Sequence, residues 1–101
     1  MEKSKKRGFD LVLKLFVSGA SPNSVRAINN IQKILNMHVP GKHTLSIIDI
    51  YQDKTVAEQE QIIAVPLLIR KFPLPERRFI GDLSDTTKLL KGLEITTGID
   101  E

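Results

Sequence analysis

Between Ile62 and Asp85 the chain reads IIAVPLLIRKFPLPERRFIGDLSD. Three of the five prolines lie in this stretch, and only Leu74 separates Pro73 from Pro75. Proline holds φ near −65° and donates no backbone hydrogen bond, so Pro73-Leu74-Pro75 cannot sit inside a central strand. Each proline also drives the preceding residue toward extended geometry. An apolar run on each side of the prolines therefore reads as a strand, Leu67 to Arg70 before them and Arg78 to Ile80 after. X-Pro bonds tolerate the cis form at about 0.5–1 kcal/mol and interconvert over tens of seconds. The segment thus reads either as a rigid loop between two strands or as a slow structural switch.

N-terminal to this stretch, Leu11, Leu13, Leu15 and Val17 alternate with Val12, Lys14 and Phe16. That period of two marks a buried strand over residues 10–17. After the turn Ser18-Gly19-Ala20, Ser21 offers an N-cap hydroxyl and Pro22 occupies the favoured first helical position. Val25, Ile28, Ile31, Ile34 and Leu35 follow at helical spacing, and Pro40-Gly41 stops the helix after about Met37. Thr44 to Ile50 reads as a second strand. Strand, helix and strand in this order favour a parallel βαβ unit. Asp53 is placed to cap a weak helix through about Ile63. Beyond Ile80, Asp82 or Ser84 is placed to cap a last helix that carries Leu89, Leu90 and Leu93 and stops near Gly98. The local reading is an α/β fold in the order β-α-β-α-β-β-α, the thioredoxin-like order.

The whole chain of 101 residues makes a single small domain. A hydrophobic content of 41% with a net charge of only +3 argues against disorder. The absence of cysteine excludes disulfides, thiolate zinc sites and thiol redox chemistry. No apolar run approaches the roughly 20 residues needed to span a bilayer. The basic start Met1 to Arg7 lacks the apolar core of a signal peptide, so residues 1–8 read as a solvated basic tail and the protein as cytoplasmic.

Candidate chemistry is sparse. Gly19-Ala20-Ser21-Pro22-Asn23 stands where a redox thioredoxin carries its cysteines, and serine cannot perform disulfide exchange. A helix N-terminus there suits an anion, but capping alone explains the residues. His38 and His43 flank Pro40-Gly41 with no metal-ligand spacing and read as surface residues. Ser18, Ser21 and Ser84 have no base placed beside them, and Asp49, Asp53, Asp82 and Asp85 fall at strand ends and caps. No catalytic residue, cofactor or metal is expected. Arg26, Arg70, Lys71, Arg77 and Arg78 read first as a solvated charged face; because Arg70-Lys71 and Arg77-Arg78 closely flank the prolines, the other reading is a compact cationic patch suited to carboxylate contacts. Aromatic residues are only 5%, with no stacking platform for nucleic acid.

The pieces LKLFVSG, Ser21 to Ala27, Ala64-Val65-Pro66, Pro73-Leu74-Pro75 with Arg77-Arg78, and Gly81 to Asp85 together resemble the KaiB family of circadian-clock proteins. They keep order and spacing over about nine-tenths of the chain. The resemblance implies a metamorphic domain. Its βαβ half is thioredoxin-like. Its second half takes either the thioredoxin-like order or a resting, usually tetrameric order, β-α-β-β-α-α-β, toward which the expectation leans.

The resemblance also implies a non-enzymatic role in docking on a KaiC-like ATPase ring, with homo-oligomers of two or four copies. Arg26, Arg70 and Arg77 match the family's partner contacts. Pro66, Pro73, Pro75, Gly92 and Glu94 are the candidate fold-switch positions, with Glu94 standing where the family has Asp. Residues 52–62 depart from the clock proteins, and the chain ends at Ile99-Asp100-Glu101 without an acidic tail. Diverged members without a KaiA partner are associated with stress adaptation, which makes a stress-response adaptor the alternative role. Neither nucleic acid nor membrane is an expected partner.

Overall fold

The computed structural model describes residues 10–95. The basic tail, Gly98 and the terminal Ile99-Asp100-Glu101 lie outside them. The elements are β1 (Leu11–Val17), α1 (Pro22–His38), β2 (His43–Asp49), α2 (Lys54–Gln59), β3 (Leu67–Phe72), β4 (Arg77–Ile80) and α3 (Thr86–Leu93). The thioredoxin-like order is present, and the resting order toward which the expectation leaned is not.

One four-stranded sheet runs β2-β1-β3-β4. β1 pairs in parallel with β2 (Leu13 opposite Leu45) and antiparallel with β3 (Leu15 opposite Leu68). β4 extends the sheet antiparallel to β3, with Leu68 opposite Phe79 and Arg70 opposite Arg77. The prolines fall outside the ladder, as their missing N–H requires. Pro66 precedes β3, and its carbonyl accepts from the Gly81 amide at 3.0 Å. Pro73 and Pro75 bracket Leu74 in the β3–β4 turn, and the peptide bonds preceding all three prolines are cis.

Alternation along the strands builds two apolar layers. Leu11, Leu13, Leu15 and Val17 of β1, with Leu68, meet Ala27, Ile31, Ile34 and Leu35 of α1 and Leu89 and Leu93 of α3. Each fully buried Leu or Ile contributes about 1.5–3 kcal/mol, so this face dominates the core. On the other face Phe16, Leu67 and Ile69 form a smaller cluster under Ile48, Ile50, Val56, Ile62 and Val65. α2 lies on that side and buries no residue completely. On α1, Ser24 and Ala27 face the core while Val25 stays 42% exposed, because the helix is turned further than the apolar spacing suggested.

Helix ends depart from the expected ones for identifiable reasons. α2 stops at Gln59, short of Ile63, in a Schellman closure. Gln61 is left-handed at φ 58°, its amide bonds Glu58 O, and the Ile62 amide bonds Ala57 O. α3 ends in the same way. Glu94 is left-handed at φ 60°, its amide bonds Lys91 O, and the buried Ile95 bonds Leu90 O. Neither site carries the glycine that would announce it. Asp53 makes no side-chain cap to α2. α3 is capped by Asp85, whose Oδ1 accepts from the Lys88 amide at 3.1 Å, and not by Asp82 or Ser84. Asp82 instead accepts from the Ser84 amide at 3.1 Å, shaping the preceding turn.

Candidate partner-binding surface

The loop where a thioredoxin would hold its cysteines is closed by its own hydroxyls. Ser21 Oγ caps α1 by accepting from the Ser24 amide at 3.3 Å and lies 3.1 Å from Ser18 Oγ. Buried Ser24 Oγ accepts from the Ser18 amide at 3.1 Å. These contacts are those of capping and turning, the plainer of the two expectations. His43 Nδ1 donates to Val39 O at 2.9 Å, and both histidines are partly exposed. Among the described residues no group of three or more His, Cys, Asp or Glu is placed to hold a metal ion. No helix of the described residues is long and apolar enough to cross a membrane.

The basic residues divide into three kinds, so Arg70-Lys71 and Arg77-Arg78 do not make one compact cationic patch. Arg70 is completely buried. On β3 it alternates with Ile69, so it points to the α1/α3 side. There Nη2 donates to Pro75 O at 2.9 Å and Nη1 to Gly92 O at 3.3 Å, with the Glu94 carboxylate 3.8 Å from Nη1. Its Nε has no hydrogen-bond partner. A guanidinium can serve acceptors on two segments at once because its donors fan out in one plane. In this arrangement Arg70 is an internal brace between β3, the proline turn and the end of α3, and it is not a surface contact.

The two other partner-contact candidates are exposed. Arg77 opens β4 and faces solvent. It stands opposite Arg70 in the ladder and so lies on the α1/α3 side of the sheet. Arg26 of α1, on that same side, has a side chain 56% exposed. It bonds Asn23 Oδ1 and approaches Asp82 at 3.5 Å. Asn30 anchors the same turn by donating to Asp82 O at 2.8 Å. The Asp82 carboxyl is held below its ordinary value, first by hydrogen bonds from Ser84 and then by the Arg26 charge. Between Arg70 and Arg77 the turn presents Leu74, 72% exposed.

Lys71 and Arg78 point to the opposite, α2 side. With Lys14 of β1 they surround Glu60, the residue that follows α2 and that sequence reasoning missed. Lys14 Nζ lies 3.4 Å and Lys71 Nζ 3.2 Å from Glu60 Oε2. Arg78 Nη2 is 3.9 Å from Glu60 Oε1 and donates to the Glu60 carbonyl at 2.6 Å. Burial alone would raise the Glu60 pKa, but hydrogen bonds and charge from Lys71 and Lys14 outweigh it and hold the carboxyl below its ordinary value. Lys71 also meets Glu76 at 2.6 Å, and this bond, followed by that to Glu60, raises its pKa against desolvation. No local spacing signals Glu60, because its partners lie 11 to 46 residues away.

Gly92 and Glu94 flank the end of α3. A Cβ built on Gly92 would overlap Phe79 Cε2 and lie 2.6 Å from its Cζ, so helix and β4 approach this closely because the side chain is missing. Glu94 occupies the left-handed closing position and not a helical one.

Comparison with known proteins agrees with this geometry. The solved structures that share the fold include the N-terminal domain of SasA from Synechococcus elongatus. Its TM-score is 0.69 at 21% identity, over 93% of this chain and 92% of that one. Mitochondrial thioredoxin 3 of Saccharomyces cerevisiae reaches the same TM-score at 15% identity, over 86% and 79% of the two chains. In sequence, the chain is 45% identical over 87 residues to the circadian clock oscillator protein KaiB of Synechococcus elongatus, covering 86% of this chain and 85% of that protein. Its Prochlorococcus marinus counterpart is 44% identical over 84 residues, covering 83% and 80%. The KaiB domain model itself matches residues 14–95, from the middle of β1 to the residue that closes α3, and the chain belongs to the KaiB family.

Proposed function

We propose that this protein is a non-enzymatic, clock-related regulator that docks on the ring of a KaiC-like ATPase in the thioredoxin-like arrangement. Relatives bearing the name circadian clock oscillator protein support the clock-related part. The observation that carries the docking part is the placement of Arg77 and Arg26. Both are exposed on the α1/α3 side, with the apolar Leu74 displayed in the turn before β4. Arginines beside an exposed apolar side chain suit an interface that offers carboxylate or carbonyl acceptors. Arg70 acts from inside, holding Pro75 and the end of α3 so that the turn keeps its shape. A self-associated resting state stores the other arrangement, and the ATPase draws the chain out of it by binding only the thioredoxin-like form. Pro66, Pro73, Pro75, Gly92 and Glu94 lie in the part that rearranges. The site of action is the cytoplasm.

A pull-down with the purified KaiC-like ATPase of the same organism, in ATP and in ADP, tests the reading. Association is expected, weakened about tenfold or more by Arg77→Ala or Arg26→Ala, the size of loss seen when an arginine is one of the few residues that dominate an interface. Absence of association in every nucleotide state removes the proposal.

A further inference from the structure

The cluster around Glu60 lies on the α2 side, away from Arg26 and Arg77, and nothing in the docking reading uses it. Lys14, Lys71 and Arg78 come from three adjacent strands, and all three converge on one carboxylate. That carboxylate belongs to the residue just after α2, a six-residue helix with no completely buried residue. Its tether is a left-handed Gln61, a conformation that favours glycine. Moving Glu60 aside breaks its contacts with the three cations and, if the loop moves with it, the bonds from Arg78 to the Glu60 and Gln61 carbonyls, so a competing ligand must replace those contacts.

What Glu60 covers is a preformed site for a carboxylate. With the Glu60 side chain withdrawn, Lys71 keeps Glu76 as a partner, while Lys14 and Arg78 lose the carboxylate they share with it. Their side chains already reach solvent, at 32% for Lys14, 25% for Lys71 and 38% for Arg78. Arg78, whose Nη1 and Nη2 hold the Gln61 and Glu60 carbonyls while the loop is closed, brings a planar fork that binds carboxylates in two-point fashion once the loop moves. Two residues beyond it, on the same face of β4, Ile80 is 73% exposed. A ligand with an acidic side chain and an apolar neighbour matches both features.

We propose that Lys14, Lys71 and Arg78 form a binding site for an acidic protein segment, and that Glu60 occupies it as an internal competitor. The contact is autoinhibitory: a partner's carboxylate gains the site only when Glu60 leaves it. The proposal does not depend on the ATPase.

The test is anisotropy of a fluorescein-labelled oligoglutamate peptide at low salt. Removing an internal competitor raises apparent affinity by the factor by which it had been closing the site. Glu60→Ala is expected to bind about tenfold more tightly than the unaltered chain. Glu58→Gln, an exposed acid on α2 outside the cluster, is expected to leave affinity unchanged. Adding Lys14→Gln and Lys71→Gln to Glu60→Ala is expected to abolish the gain. Glu60→Gln supplies the same comparison if the amide spectrum of Glu60→Ala shows α2 lost. Equal binding by Glu60→Ala and the unaltered chain overturns the proposal, as does an equal gain from Glu58→Gln or a gain that survives loss of both lysines. Tighter binding of oligothymidylate than of the peptide assigns the cations to nucleic acid and overturns it as well.

Discussion

Arg70 Nη2 donates to the carbonyl oxygen of Pro75 across 2.9 Å, from a side chain with no exposed surface. The same guanidinium reaches Gly92 O, so a residue that reads as a surface cation holds the proline turn against the end of α3. Arg70→Ala leaves two carbonyl groups without this donor and opens a cavity. The expected cost is about 2–4 kcal/mol in urea denaturation. Glu94→Gln is expected to cost less than about 1 kcal/mol, since the Glu94 side chain is 60% exposed and its ion pair is solvent-screened. Equal costs for the two substitutions would show that the ion pair, not the carbonyl contacts, carries the brace.

Gly92 meets Phe79 with no room for a methyl group. Gly92→Ala gains about 1 kcal/mol of helix propensity but must displace an aromatic ring from a packed layer. The net effect expected is a loss of about 1–2 kcal/mol from this arrangement. Phe79→Leu in the same chain should restore most of it. Thermal unfolding of the two single variants and the double variant measures this, and simple additivity of their losses would disprove the contact.

Stability at acid pH should depend on Glu60. Its folded-state pKa lies below the ordinary 4.5, so its contribution is complete above the unfolded-state value. That contribution is lost as pH falls through the folded value. Asp82 shifts in the same direction and adds to the same loss. Urea midpoints measured between about pH 5 and pH 3, spanning the ordinary carboxylate range, should fall for the unaltered chain and fall less steeply for Glu60→Gln. Parallel curves would mean that Glu60 is no better paired in the folded chain than in the unfolded one.

Helix capping offers a direct contrast. Asp85→Ala should cost about 1 kcal/mol, because its carboxylate satisfies the Lys88 amide. Asp53→Ala should leave stability within about 0.5 kcal/mol, because Asp53 makes no side-chain bond to α2. Ser21→Ala should resemble Asp85→Ala, since Ser21 Oγ caps α1. Circular dichroism melts of the three variants provide the comparison.

Local signals served well wherever a backbone rule acts alone. The period of two over Leu11 to Val17, the Ser21-Pro22 start of α1 and the prolines around Leu74 all lie where their chemistry demands. They failed where packing overrode an absent marker. α2 and α3 close through left-handed Gln61 and Glu94, and side chains with no glycine signature gave no warning of either. The candidate surface was half visible. Arg26 and Arg77 are exposed as their charge suggests, but strand parity turns Arg70 inward and sends Lys71 and Arg78 to Glu60 on the other face.

By itself, then, the sequence determined the element types and their order, because hydrophobic period, proline and capping residues act over a few neighbours. Only the tertiary structure decided which cations are buried, paired or free, and where the last two helices end. Those outcomes depend on groups that are far apart in the chain and meet only once the sheet has formed.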